Sequence, residues 1–459
     1  MFTLGQAAQW LGLARPNHAD RSVTGVVIDS RKIKPGMLFI ACSGEHVDGH
    51  DFLIQAADAG ACGALVLADR VTATLPEGFV LLKCDSVLDS FQLLARQYRD
   101  LMAFPIIAIT GTNGKTTTKE MLVHVLRGQA KVVKTEGNLN NHLGVPLTLL
   151  NWPLDADFGV LEMGMNHPGE INDLCAIAQP THGLITNVGE GHLEFLKSIE
   201  GVAQAKAELL DALSQKGVGF INGDDVHLKP YHQTADQTIT YGFDPKLDVS
   251  GSIIRHTDMG CAVVEVENNP YELQIPGDHN ASNALGVIAI ARYFKYDWSI
   301  IKKGLESFDG YSGRLSVMHC GPVWIVDDTY NANPTSMQAA ISALARMKHT
   351  SRHVAILGDM LELGADSETL HQKVGQIITE MGVDVFIGVG KDMKAAVEQT
   401  TGSDAIQTIY YTSLDACLAE LQTWLQPGDA VLVKGSRGMK MENVVSQIKR
   451  LFENQVGEN

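Results

Sequence analysis

The feature that most constrains this chain is the run Ala108-Ile-Thr-Gly-Thr-Asn-Gly-Lys-Thr-Thr-Thr118, which follows the apolar stretch Pro105-Ile-Ile and leads into a helical pattern ending near Leu126. A buried strand, a turn with two glycines and a helix opening on Lys115 and Thr116 make an anion cradle. Glycines let backbone N–H groups close around phosphate oxygens, and the helix N-terminus favours negative charge. Lys115 supplies a mobile cation and Thr116 offers a hydroxyl to Mg²⁺. Gly111, Thr112, Asn113, Gly114, Lys115, Thr116 and Thr117 are therefore read as ATP-binding residues. Position 109 is Ile where the full Walker pattern has glycine, so the loop is a shortened form.

A chain of 459 residues holds two to four domains at roughly 100–200 residues each. Lys and Arg total 36 against 53 Asp and Glu, a net charge of -17, so no general field draws it to nucleic acid or anionic lipid. The seven cysteines are odd in number and form no C-x-x-C pair, against a disulfide framework or zinc knuckle. No apolar run approaches the ~20 residues of a membrane helix, and the start lacks a basic segment before an apolar one. These features predict a soluble protein of a reducing cytoplasm, neither secreted nor inserted in a membrane.

Short β-type runs alternate with helical stretches in the first hundred residues (Gly25 to Ile28, Met37 to Ala41, Ala64 to Leu67, Phe79 to Leu82), which reads as a small α/β domain. From Phe104 the alternation predicts a parallel sheet with crossover helices, interrupted by a strand-rich interval from about Thr238 to Ile275. Beyond Gly313, the runs VWIVDD, HVAILGD, VDVFIGVG, TIYYT and DAVLVKG predict a second open α/β sheet. Glu162, His192 and Lys206 follow the phosphate loop at or soon after predicted strand ends, where ligands of open α/β sheets gather. Glu162 suits a phosphate-bound Mg²⁺. Taken singly, the three also read as a strand-end carboxylate, a helix cap and a solvated helix lysine.

TGTNGKTT, EMGMNHPGEI, NVGEGHLE, AKAELL, GDHNASNALG, GRL and DDTYNANPTSM, in that order, resemble the signatures of the ATP-dependent Mur ligases of bacterial cell-wall synthesis, and the resemblance covers essentially the whole chain. DDTYNANPTSM, LGDMLELG and VLVKGSRGMKME look like those of the members that add D-alanyl-D-alanine. The DNPR-type motif of the sister ligases that add a diamino acid does not occur. The resemblance implies an α/β chain of three domains: an N-terminal α/β domain for a uridine nucleotide (residues 1–102), a central P-loop-type parallel-sheet ATPase (103–314) and a C-terminal Rossmann-like domain (315–459). It implies a monomer working on small molecules, UDP-N-acetylmuramoyl-tripeptide and D-Ala-D-Ala, without nucleic acid.

In the family chemistry, ATP phosphorylates the terminal carboxylate of the tripeptide to an acyl phosphate, which the dipeptide amine then attacks. Cations should dominate such a site. By resemblance, Lys115 and Arg314 stabilise the transferring phosphoryl group. Thr116 and Glu162 hold one Mg²⁺ and His192 a second, while Lys206 is carbamylated by CO₂ and serves as an anionic metal ligand. Asn280 and Asn283 face the adenine, and Asp328 the ribose. Helix capping for Asn280 and a turn carboxylate for Asp328 are the plainer readings. Ser30, Arg31, Glu45, His46 and Val47 lie near the UDP moiety, although Asp29-Ser30-Arg31 also reads as an ordinary turn. Asn138 aligns with an active-site asparagine, with Asn140 and Asn141 close by. Asn331, Asn333, Asp359, Lys434, Ser436 and Arg437 suit a dipeptide or peptide carboxylate. Two other readings share the loop: a neighbouring diamino-acid or folylpolyglutamate-type ligase, and a nucleotide-dependent sensor without turnover.

Overall fold

Short apolar strands separated by helices pair in parallel, because the crossover helix returns the chain to the same end of the sheet. The computed structural model describes residues 2–44, 47–71, 74–191, 193–213, 217–403 and 405–453, and among them the strands form four sheets. In the first, β1 (Val26–Val27), β2 (Leu38–Ile40), β3 (Gly63–Leu67) and β4 (Val80–Cys84) lie in chain order, all parallel.

The second sheet contains β5 (Ile106–Thr110), β6 (Val132–Lys134), β7 (Phe158–Glu162), β8 (His182–Ile185), β9 (Val218–Asn222), β10 (Gln237–Gly242) and β11 (Val249–Ser250). Its order is β11-β10-β9-β8-β5-β7-β6, all parallel. The chain leaves β5 toward one edge and later returns to its other side, so the crevice beyond the carboxyl ends of β5, β7 and β8 is the switch point where such sheets bind ligands. The strand-rich interval differs from its sequence reading. Its first strands continue the parallel sheet, and only β12 (Ser252–His256), β13 (Cys261–Val266) and β14 (Asn269–Pro276) form a separate antiparallel one. β10 is half-exposed along most of its length, because its outer neighbour β11 covers it only at Tyr241 and Gly242, and this uncovered flank, not departure from the sheet, accounts for its polar side chains.

In the last sheet, β15 (Ser316–Cys320), β16 (Val323–Asp328), β17 (Arg352–Gly358), β18 (Val385–Val389), β19 (Gln407–Tyr411) and β20 (Asp429–Lys434) take the order β15-β16-β20-β17-β18-β19, with β15 alone antiparallel. Separate apolar clusters cover its two faces. The helix after the phosphate loop, Lys115–Leu126, is buried on nearly every side, as a helix inside a core must be. The helix Val87–Arg99 ties the first sheet to the second. Tyr98 Oη donates to Trp152 O at 2.9 Å, and the buried Arg99 guanidinium donates to Ala178 O, Met102 O and Gln179 O. No described helix is long and apolar enough to cross a membrane.

Candidate active site

Two glycines shape the phosphate loop for separate reasons. Gly111 has φ +149°, and a Cβ there would run into Thr186 Oγ1. Gly114 caps the helix at φ +80°, where a Cβ would stand 2.6 Å from Asn283 Oδ1. The end of β8 holds the loop from below. Thr186 Oγ1 donates to Asn113 O at 2.6 Å, while Asn187 accepts from Asn113 N at 3.0 Å and donates to Asn113 O at 3.0 Å. Lys115 Nζ donates to Gly111 O at 2.7 Å and Thr112 O at 3.1 Å. Burial lowers its pKa to about 8, the Glu162 carboxylate opposing and Arg314 adding to the shift.

Glu162, at the end of β7, is almost fully buried. Its Oε1 accepts from Asn140 Nδ2 at 2.8 Å, and its Oε2 has no hydrogen-bond partner. The nearest cation is Lys119 Nζ at 3.6 Å, which also reaches Glu120 Oε1 at 3.2 Å and donates to Thr135 O at 2.9 Å. Thr116 is buried one turn away on the helix, and its Oγ1 accepts from Arg314 Nη2 at 3.4 Å. Lys206, on the helix Ile199–Asp211, lines the same cleft and is buried. Among the described residues no hydrogen bond or ion pair holds its amine. Burial, reinforced by the Lys115 charge, pushes its pKa well below the usual lysine range.

The last sheet closes the cleft, whose volume is about 330 Å³. Arg314 arrives from the segment before β15, and the Asn113 and Asn333 amides pair across the cleft, with Asn333 Nδ2 donating to Asn113 Oδ1 at 2.9 Å. Asn280 and Asn283 line the cleft, but Asn280 Nδ2 donates to Pro276 O at 2.7 Å and its Oδ1 accepts from Asn283 Nδ2 at 3.1 Å. Asp328 lines it too, with both oxygens engaged, one by Lys434 Nζ at 2.5 Å and one by Leu315 N at 3.2 Å.

A smaller pocket adjoins the cleft through Asn331 and Asn333, and Leu361, Leu363, Ser436 and Arg437 also line it. Asp359 belongs to neither lining. Its Oδ1 accepts from Met393 N at 2.7 Å, so the carboxylate braces the turn after β18. Asn138 is exposed and outside the cleft, and Asn140 stands there in its place. Ser30, Arg31 and Val47 lie apart, near the carboxyl end of the first sheet. Ser30 Oγ donates to Gln55 Oε1 at 3.1 Å, and Arg31 pairs with Asp29 at 2.8 Å. Glu45, His46 and His192 lie outside the described residues. Sequence reasoning missed Lys119, Thr186, Asn187 and Tyr330, and named Asn140 only as a neighbour of Asn138. Lys119 carried a readable signal, since it falls one turn after Lys115 on a helix whose other buried residues, Glu120 apart, are apolar or hydroxylic.

Models of three successive segments match this chain: "Mur ligase family, catalytic domain" over residues 22–78, "Mur ligase middle domain" over 109–291 and "Mur ligase, glutamate ligase domain" over 313–437. The UDP-N-acetylmuramoyl-tripeptide–D-alanyl-D-alanine ligase of Bacillus subtilis is 36% identical, with 95% of each chain covered. The chain belongs to the Mur ligase family. Among solved structures of the family, MurF from Acinetobacter baumannii superposes with a TM-score of 0.86 at 29% identity, covering 98% of this chain and 99% of that one. MurF from Thermotoga maritima in complex with ADP does so at 0.81 and 27%, covering 94% and 98%. The three-domain α/β architecture of these relatives is the fold described above.

Proposed function

We propose that the chain is an ATP-dependent ligase that joins D-alanyl-D-alanine to UDP-N-acetylmuramoyl-tripeptide, the last cytoplasmic step in building the peptidoglycan pentapeptide precursor. The observation that carries this reading is the convergence of Lys115, Thr116 and Glu162 from the central sheet with Arg314 from the edge of the last one. The near full-length match to relatives bearing that name supports the choice of substrates. On this reading residues 1–102 bind the uridine nucleotide near Ser30, Arg31 and Val47, residues 103–314 bind ATP, and residues 315–459 bring in the dipeptide.

The backbone N–H groups of the loop receive the phosphates, and Lys115 with Arg314 draws charge off the γ-phosphoryl group as it moves to the substrate carboxylate. The dipeptide amine attacks the resulting acyl phosphate, its proton is lost, and the C–O bond to phosphate breaks to leave the amide. Asn331, Asn333, Ser436 and Arg437 border the smaller pocket and hold the dipeptide there, with Arg437 facing its carboxylate. Asn280, Asn283 and Asp328 take the nucleoside end.

The site fits Mg²⁺. Glu162 Oε2 is a buried oxygen without a hydrogen bond, Thr116 adds a hydroxyl, and phosphates and water supply the remaining hard donors such an ion keeps. When bound, the ion neutralises charge on the phosphate oxygens. His192 is assigned to a second Mg²⁺ on sequence grounds. Lys206 fits carbamylation, because a buried amine with a depressed pKa is the neutral nucleophile that CO₂ requires. Its nitrogen bonds to the carbon and a proton leaves. Isotope-labelled carbon dioxide should give a carbamate resonance in the wild-type protein that Lys206→Ala lacks.

The deciding experiment measures phosphate release from ATP with Mg²⁺ and the UDP-linked tripeptide across a panel of amines, with product mass. Release that requires D-Ala-D-Ala supports the reading. Turnover with another amine in its place overturns the acceptor assignment.

A further inference from the structure

Arg314 is a long side chain asked to point in one direction, and nothing ionic holds it there. Among the described residues no carboxylate pairs with its guanidinium, and its Nε is buried without a hydrogen-bond partner. Its backbone, by contrast, is tightly held. Gly313 and Leu315 on either side have φ +75° and +52°, the second unusual for a buried leucine. Leu315 N donates to Asp328 Oδ1 at 3.2 Å, and Tyr330 N donates to Gly313 O at 3.2 Å. The hairpin carrying Arg314 is thus laced onto residues 328–330, and this places Arg314 Cζ over the Tyr330 ring, 3.9 Å from the ring centroid.

We propose that Tyr330 is a positioning residue for Arg314: its ring face holds the guanidinium so that Nη2 stays directed at Thr116 in the phosphate cleft. The chemistry favours an aromatic ring over a carboxylate here. A carboxylate would orient the arginine but also neutralise the charge the phosphoryl group needs, whereas a π face attracts the cation and leaves its N–H groups free. The Tyr330 hydroxyl makes no hydrogen bond among the described residues, so the ring and not the phenol is the working part. Arg437 approaches the same ring at 5.8 Å, near the limit of such contacts, and pairs with Glu442 at 3.2 Å. Arg314 is therefore the cation the ring serves.

The inference rests on the assignment of Arg314 to the γ-phosphoryl group, and the test separates the two. Calorimetry compares a non-hydrolysable ATP analogue with ADP, both with Mg²⁺, for the wild type, Tyr330→Phe and Tyr330→Leu, alongside kcat and KM for ATP. Tyr330→Phe should match the wild type. Tyr330→Leu keeps an apolar side chain, smaller and without a π face. It should lose about tenfold in analogue affinity and in kcat, with ADP affinity changed less than about twofold. Equal behaviour of Leu and Phe variants, or parallel loss of analogue and ADP binding, would overturn the inference. A wild type that binds analogue and ADP equally would instead overturn the role of Arg314. Tyr330→Trp adds a second aromatic variant and should fall on the Phe side.

Discussion

Replacing Lys119 by methionine is the sharpest test of how the metal-binding face of the cleft is held. The Lys119 side chain is fully buried, and its ammonium faces Glu120 Oε1 at 3.2 Å, Glu162 Oε2 at 3.6 Å and Thr135 O at 2.9 Å. Methionine keeps the length and removes the charge. Glu120 would still have Lys134 at 2.5 Å, but Glu162, only 3% exposed at its side chain, would lose its one ion pair among the described residues and keep only the longer-range field of Lys115. Removing one partner of a buried pair costs about 3–5 kcal/mol, because the other charge stays behind uncompensated. Urea unfolding followed by tryptophan fluorescence reads this well, since Trp152 Nε1 donates to Lys134 O beside the network. Adding Glu162→Gln to the same chain removes the orphaned charge and should recover roughly 1–3 kcal/mol. A Lys119→Met protein within about 1 kcal/mol of wild type, or two substitutions whose costs simply add, would refute the claim that the two charges are coupled.

Gly111→Ala should abolish nucleotide binding in calorimetry while the fold persists by circular dichroism, because the Cβ meets Thr186 at a backbone angle that alanine avoids. Arg314→Ala should lower kcat by about 10³-fold with little change in ADP affinity, as expected of a cation engaged at the transferring phosphoryl group. Burial among Phe220, Tyr293 and Phe294 lowers the His182 pKa to about 4 from 6.5. Between those values the unfolded chain binds a proton that the folded one refuses, so stability should fall as pH drops from 6.5 toward 4, by up to roughly 3 kcal/mol. His182→Phe should flatten that part of the pH–stability curve.

The phosphate loop, the strands around it and the sheet after Gly313 were legible because their signals are local: apolar runs of strand length, glycines where φ turns positive, and a helix start bearing Lys115 and Thr116. What sequence concealed was pairing at a distance. The choice of Asn140 over Asn138 depends on which side chain of a turn reaches Glu162. Asp359 sits in a promising motif, yet its carboxylate is consumed by Met393 N, a partner 34 positions on. The strand β10, next to the short edge strand β11, looked like an interruption because half-exposed strands carry polar residues whichever sheet they belong to.

The amide pair between Asn113 and Asn333 carries a different lesson, about heredity. Each side chain donates to the other across 220 positions of chain, and Asn333 also caps the helix Pro334–Ala345 by accepting from Ser336 N at 2.8 Å. Aspartate at 333 would keep the cap but set an oxygen against an oxygen, and aspartate at 113 would do the same from the other side. The two positions can therefore drift only together. Lineages that alter one should carry a compensating change at the other, a covariation set by hydrogen-bond polarity and not by charge.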